Sequence, residues 1–523
     1  MPTSPDEDLT LPSLAAELPA GIRKLQLVLT IVFHPDTRRI GERAVIPDLA
    51  ASQSWVLGRR SPAFCRGGGA AAIPLGEGHV SRQAISLSGC GDGLLVRRLP
   101  DSSRCRIAGR ELRQTVELSR PHLREGVRVL LGHSVVLLLR LTPEMPSDQA
   151  TPAPYELLGS SAYMAGLREQ VMRLGGSGLD VLIRGETGTG KELVAAAIHT
   201  ASHRSDRTML SINMAAIPAG LAAATLFGSA RGAFTGATRA SEGYFTQAQG
   251  STLFLDEIGD TPVEVQPQLL RALQQREIQL VGGAIQKVDV RIISATDGLL
   301  ESESCDFKAA LRHRLGEGEI HLLPLREHPE DIGELLLHFL ITRAKQLACT
   351  DLLPGERSAA REIAAWAALF HTFLGYRWPG NVRELANFAG QVLVASAEEL
   401  TLPDTIKLAV AQADAASATV SGSALSAPRR SIREIDEQEF DSILRESDYE
   451  VANVARQLGV SRQAVYRRMG ESPRHRLAGQ VPGPELEKAL AQHAGDARAA
   501  AMDLKVSASG LRSRLRDSSL PWY

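Results

Sequence analysis

The run Val181-Leu-Ile-Arg-Gly185-Glu186-Thr187-Gly188-Thr189-Gly190-Lys191-Glu192, continuing as Leu193-Val-Ala-Ala-Ala-Ile-His199, decides the fold. A short apolar strand enters a glycine-rich loop, and the loop opens an amphipathic helix. That is the context a phosphate-binding loop requires. The glycines let backbone N–H groups turn inward, the helix N-terminus adds partial positive charge, and Lys191 adds a full one. An ordinary glycine-rich turn explains the glycines but neither the lysine nor the flanking strand and helix. The Ser or Thr that often follows the lysine as a magnesium ligand is Glu192 here, so metal binding leans on Asp256 and on the nucleotide. Asp256 and Glu257 end a second apolar run, Thr252-Leu-Phe-Leu-Asp-Glu257. A buried strand that delivers two carboxylates at its C-terminal end does so where open α/β sheets bind ligands. Asp256 is expected to hold Mg2+ and Glu257 to orient or deprotonate a water that attacks ATP.

Outward from this core, apolar strands alternate with helices, and after Leu325 the pattern is wholly helical to about Leu400. The centre thus reads as an α/β body over 157–400 with a helical lid over about 325–400. Thr142 to Pro154 is Pro-rich, and Ala411 to Pro428 is rich in Ala, Ser and Gly. These predict linkers at 142–156 and 411–430. In front, over 1–141, short apolar runs separated by Gly, Pro, Ser and Asp predict a β-sandwich. Behind, over 431–523, the pattern is all helical. A multidomain chain fits 523 residues, too many for one ordinary core.

A net charge of −2, with 44% apolar and 23% charged residues, argues against a protein that coats nucleic acid or membranes indiscriminately. Five scattered cysteines lack the spacing of a zinc site and read as free thiols of a reducing cytoplasm. The most apolar run, Val127 to Leu141, is interrupted by Gly132 and His133 and includes Arg140, so no membrane association is expected.

Between the phosphate loop and Asp256 lies Gly232-Ala233-Phe234-Thr235-Gly236-Ala237, following Leu226-Phe-Gly228. A phenylalanine flanked by glycines in a short loop has no evident folding purpose. With these motifs, residues from about Leu157 to Leu400 closely resemble the bacterial enhancer-binding proteins, the AAA+ ATPases that activate sigma-54 RNA polymerase. The resemblance implies that the hexapeptide grips sigma-54, within the polymerase holoenzyme. It implies that Asn213 couples the water-activating glutamate to the nucleotide state, and that Thr296-Asp297 stands at the first sensor, a carboxylate replacing the usual amide. It places trans-acting arginines in Phe307-Lys308-Ala-Ala-Leu-Arg-His-Arg314. There Lys308 lacks the planar fork of an arginine, so the role falls mainly on Arg314. Trp378-Pro-Gly-Asn-Val-Arg383 matches the second sensor, with Arg383 facing nucleotide from the lid. Each active site would lie between subunits of a homo-oligomeric ring, usually a hexamer, and hydrolysis would move the hexapeptide loop.

Tyr449-Glu-Val-Ala-Asn-Val-Ala-Arg-Gln-Leu-Gly-Val-Ser461-Arg-Gln-Ala-Val-Tyr-Arg-Arg-Met469 reads as two helices crossing at Gly459, with Ala455 small at the crossing and Ser461 an N-cap. The second helix offers Arg462, Gln463, Arg467 and Arg468 to double-stranded DNA. Six arginines against one acid between Arg456 and Arg476 make this stretch locally basic. It resembles the Fis-type helix-turn-helix that ends these activators. Shifted by 46 residues, Phe440–Met469 aligns with Leu486–Leu515, Ala455 meeting Ala501 and Val465 meeting Leu511, which predicts two tandem units.

At the front, Gly58-Arg59 and Ser81-Arg82 among short strands resemble a forkhead-associated domain, a phosphothreonine-binding sandwich. Arg59, Ser81 and Arg82 would clamp a phosphate on a protein partner by charge-assisted hydrogen bonds. Ala84 stands where that pattern has His, and Ala108-Gly109 where Asn-Gly is usual. Taken together, these features predict an ATP-driven remodeller of sigma-54 polymerase. The rival readings are a DNA-binding regulator that keeps the AAA+ shell as a scaffold, and a general AAA+ unfoldase.

Overall fold

The computed structural model describes residues 25–47, 53–66, 71–91, 93–144, 154–233, 240–297, 307–355, 358–396 and 399–421, and then 436–447, 449, 454, 465, 468–469, 481–493, 497–504, 506–507 and 511. Residues 1–410 and 411–523 form two compact units, taken in turn.

The first unit begins with twelve strands, the short pair Ala63–Phe64 and Ile73–Pro74 and ten others: β1 Leu25–Phe33, β2 Arg43–Ile46, β3 Ser54–Leu57, β4 Ile85–Cys90, β5 Gly93–Arg98, β6 Cys105–Ile107, β7 Arg110–Glu111, β8 Thr115–Leu118, β9 Val127–Leu131 and β10 Val135–Pro143. The ten build two antiparallel sheets, ordered β2-β1-β10-β9-β6-β7 and β8-β5-β4-β3. Alternate residues of each sheet meet in one core, Leu29, Ile31, Val129 and Leu137 from the first against Ile85, Leu87, Leu94 and Val96 from the second. In β4 the intervening Ser86 and Ser88 lie outside that core. β1, β9 and β10 do not alternate in this way. Val28, Val32, Leu130, Val136 and Leu138 are also buried, because helices of the lid cover the outer face of this sheet. Burial on both faces explains why Val127 to Leu141 is so apolar.

The central body holds a five-stranded parallel sheet of β11 Val181–Arg184, β12 Leu210–Asn213, β13 Thr252–Asp256, β14 Arg291–Thr296 and β15 Gly318–His321, ordered β12-β13-β14-β11-β15. Its side chains divide by period two. Leu182, Leu253, Leu255 and Ile292 enter the core on one face, and Val181, Ile183, Phe254, Ile293 and Ile320 enter that on the other. Helices α1 Ala162–Ser177, α2 Lys191–Thr200, α3 Ala219–Phe227, α4 Gln266–Gln275 and α5 Ala309–Leu315 flank it.

The lid consists of α6 Ile332–Gln346, α7 Ala360–Leu374, α8 Asn381–Ala395 and α9 Asp404–Ser421. The last helix departs from the sequence expectation, since residues 411–421 continue it where a linker was expected. The stretch 411–421 holds five alanines and no glycine, and alanine has the highest helix propensity.

The second unit contains α10 Glu437–Glu446, α11 Gly483–Gln492 and α12 Ala497–Asp503. It has two separate small cores. One gathers Phe440, Leu444, Val454, Val465 and Met469, the other Leu486, Ala489, Ala500, Leu504 and Leu511. Phe440 and Leu486, Val454 and Ala500, and Val465 and Leu511 occupy equivalent places at the same 46-residue offset.

Candidate nucleotide site

The parallel register brings the functional ends of the strands together. Asn213 pairs with Asp256 across β12 and β13, and Arg184 with Thr296 across β11 and β14. Gly185, Asn213, Asp256 and Asp297 therefore share the C-terminal edge of the sheet. The loop from Gly185 to Gly190 turns through left-handed backbone at Gly188 (φ +82°) and Gly190 (φ +97°), which favour glycine. Glu186 accepts through its backbone carbonyl from Thr189 Oγ1 at 2.7 Å. Lys191 is buried at the start of α2, its Nζ 2.9 Å from Gly185 O and 3.8 Å from Glu257 Oε1. Glu192 is exposed in the first turn of the helix.

Glu257 sits at φ +48°, ψ +52°, a left-handed conformation that costs a non-glycine residue on the order of 1–3 kcal/mol and recurs at functional sites. Burial pushes its carboxyl above the usual range; Lys191 opposes this, and Asp297 and Asp256 add to it. Asn213 Nδ2 donates to Asp256 Oδ2 at 3.1 Å. The amide thus meets Asp256, whereas the family resemblance implies coupling to Glu257. Asp297 takes the Thr187 hydroxyl on Oδ2 at 2.6 Å, and its backbone N–H reaches Glu257 Oε2 at 3.4 Å. The Thr187 hydrogen bond holds the Asp297 carboxyl below its ordinary range. The residues suit a nucleotide with its magnesium. The open, left-handed Gly190 and the buried Lys191 stand where the loop enters α2, and Asp256 supplies a carboxylate. Magnesium commonly binds through one or two carboxylates plus substrate phosphates.

The lid closes on the loop through residues that sequence reasoning passed over. Asn381, fully buried at φ +53°, accepts from Leu325 N at 2.9 Å and donates to Glu186 Oε2 and Thr187 O at 3.1 Å each. Arg326 grips Glu186 with both terminal nitrogens, at 2.8 and 2.5 Å. Those hydrogen bonds hold the Glu186 carboxyl down at about 2. Gly188 has no room for a Cβ, which would collide with Gly380 O. Arg383 touches the loop through its backbone N–H, 3.2 Å from Gly188 O, while its side chain is exposed. The WPGN stretch carried the signal for Asn381, but attention fell on Arg383.

Arg314 is engaged away from the phosphate loop, donating to Leu273 O at 3.0 Å and pairing with Glu317. Of the glycine-flanked hexapeptide, Gly232 (φ +80°) and Ala233 are described, while Phe234, Thr235, Gly236 and Ala237 lie outside the described residues. On either side of this stretch, Gly228-Ser229 pairs with Ser241-Glu242.

In the sandwich, a cavity of about 650 Å³ is lined by Val56, Arg60, Ser61, Ser81, Arg82, Gln83 and Asp101. Of the expected clamp residues, Ser81 and Arg82 line this cavity together with Arg60, and Arg59 does not line it. Arg59 is turned to Gly78 O at 3.3 Å. Ser81 Oγ accepts from Ser103 N at 2.7 Å. Ala84 is fully buried, which explains the missing histidine, and Ala108 takes φ +50° where Asn would be easier.

In the second unit, Ser461, Arg462, Gln463 and Arg467 lie outside the described residues. Arg468 stacks its guanidinium 4.6 Å from the Phe440 ring centroid. This is a cation–π contact of the residue that the sequence expectation offers to DNA.

Comparison with known proteins agrees with this geometry. The family model of the sigma-54 interaction domain matches residues 157–321, and that of the AAA+ ATPase lid domain matches residues 326–422. The formate hydrogenlyase transcriptional activator FhlA of Escherichia coli (strain K12) is 43% identical over 258 residues, 48% of this chain and 36% of that protein. The DNA-binding transcriptional regulator NtrC of the same organism is 44% identical over 254 residues, 48% of this chain and 52% of that protein. NtrX from Brucella abortus in complex with ADP aligns in structure at 27% identity and a TM-score of 0.41, covering 60% of this chain and 69% of that one. The chain spans about half or less of the length of the curated relatives named here. Residues 157–422 are a sigma-54 interaction domain of the AAA+ P-loop NTPase type with its lid, homologous to that of NtrC and FhlA. Among the described residues, no helix is long and apolar enough to cross a membrane.

Proposed function

We propose that this chain is a sigma-54-dependent transcription activator that hydrolyses ATP to remodel the sigma-54 RNA polymerase holoenzyme. The observation that carries the proposal is the gathering of Lys191, Asp256, Glu257 and Asp297 at one sheet edge, in a domain whose sequence carries Gly-Ala-Phe-Thr-Gly-Ala at 232–237. Bound ATP with Mg2+ supplies the reactive phosphoanhydride. Lys191 and the loop N–H groups hold the phosphates, Asp256 holds the metal, and Glu257 orients the attacking water. Arg314, turned away from its own loop, supports a ring in which it serves a neighbour's site. Thr235→Ala tests the coupling. ATPase is expected to survive while promoter opening fails, and loss of both together would mean a structural role for the loop.

The two flanking regions complete the reading. A duplicated helix-turn-helix in 431–523 is supported by two cores at a constant offset, and salt-dependent binding of duplex DNA by the full chain measures it. A forkhead-associated sensor is supported by the arginine-lined cavity at Ser81. A preference for phosphothreonine over plain peptide measures that, and equal binding of both would remove it.

A further inference from the structure

The sandwich and the lid share an interface, and one of its residues, Arg140, grips the segment that leads to the phosphate loop. On β10, Arg140 donates to both carboxylate oxygens of Glu330, at 2.9 and 2.8 Å, and to Glu327 O at 2.9 Å. Its Nε is fixed by Arg124 O at 2.8 Å. Both bonds to Glu330 come from Arg140 Nη1, while Nη2 holds Glu327 O. Glu330 is almost fully buried, with a side-chain exposure of 6% against 19% for Arg140, so the pair is largely shielded from water and charge-assisted. Four residues before Glu330, Arg326 holds Glu186 of the phosphate loop.

The segment between them has little freedom. Leu325 N is held by Asn381, which also binds Glu186 and Thr187. Fully buried Asp331 accepts from Ser161 N at 2.8 Å and meets His328 Nδ1 at 2.9 Å. Residues 325–331 therefore form a short strap, with the phosphate loop at one end and the sandwich at the other. The rest of the interface keeps the two bodies together independently of Arg140. Phe33 packs on Phe370 with centroids 4.8 Å apart, and a Cβ at Gly333 would collide with Val32 O.

We propose that Arg140 of the sandwich is a positioning residue for ATP binding, acting through the strap 325–331 and the Arg326–Glu186 pair on the phosphate loop. The proposal rests on the nucleotide site alone and does not require the sandwich to bind phosphopeptide. Releasing Glu330 frees the strap, lets Arg326 leave Glu186, and loosens the loop before nucleotide arrives.

The experiment is nucleotide affinity and steady-state ATPase in the full chain for Arg140→Ala, Arg326→Ala and the double variant. Arg140→Ala is expected to weaken binding of a fluorescent ATP analogue, and raise KM, by roughly fivefold, with kcat little changed; couplings between sites are commonly of this size. In the double variant Arg140→Ala should add nothing to Arg326→Ala, because the two act along one link. Arg140→Lys, which keeps the charge but not the fork, should restore part of the affinity. Unchanged affinity in Arg140→Ala, or independent multiplication of the two effects, overturns the proposal. If Arg140→Ala does not fold, Glu330→Gln breaks the same link from the lid, and wild-type affinity there overturns the proposal equally. A wild-type chain that binds no nucleotide would instead refute the nucleotide site itself.

Discussion

Glu257 is the residue on which the chemistry turns. Its burial and the neighbouring carboxylates disfavour an isolated charge, and Lys191 at 3.8 Å is the compensating cation. Glu257→Gln keeps the shape and removes the base. The variant is expected to bind ATP normally and to lose at least about a hundredfold in turnover, within the usual range for acid–base groups. Single-turnover hydrolysis measures it, and near-wild-type turnover would remove Glu257 from the mechanism. Most of this site was legible because its motifs are local in sequence. Arg326 and Asn381 were not, since their roles depend on the lid folding back onto Glu186 from 140 and 195 residues further along the chain.

At the scale of elements, the packing of α7 against the outer sheet of the sandwich sets a pH dependence. His371 is buried there beside Arg128, and its Nε2 has no partner. Burial, then Arg128 and Arg106, hold its pKa down at about 4. Between about pH 6.5 and pH 4 the unfolded chain takes up a proton that the folded chain refuses, so stability falls as pH drops through that window and levels off below it. His371→Leu should flatten this dependence, recovering on the order of 1–2 kcal/mol of the stability lost between pH 7 and pH 5. Urea unfolding of both proteins at the two pH values measures it, and identical losses would contradict the assignment. The sequence did not reveal this interface, although it left a trace. Strands β1, β9 and β10 lack polar alternation because helices cover their second face, and an apolar run alone does not say what covers it.

For the whole molecule, the central domain with its lid was legible nearly to its ends, apart from the extension of the last lid helix to Ser421. There an alanine-rich helix and a low-complexity linker share a composition. The ring reading predicts that Arg314→Ala and Lys191→Ala, each inactive alone, regain part of their ATPase when mixed, since intact sites form at interfaces pairing Lys191 of one subunit with Arg314 of the other. Absence of recovery in mixtures shown to co-assemble would contradict a shared site. The central claim, that hydrolysis here opens promoters, is tested most directly by open-complex formation with sigma-54 holoenzyme on a promoter carrying an upstream site for this chain. The account predicts strand opening with ATP and none without nucleotide. Equal opening in both conditions, or none with ATP despite active hydrolysis, would contradict it.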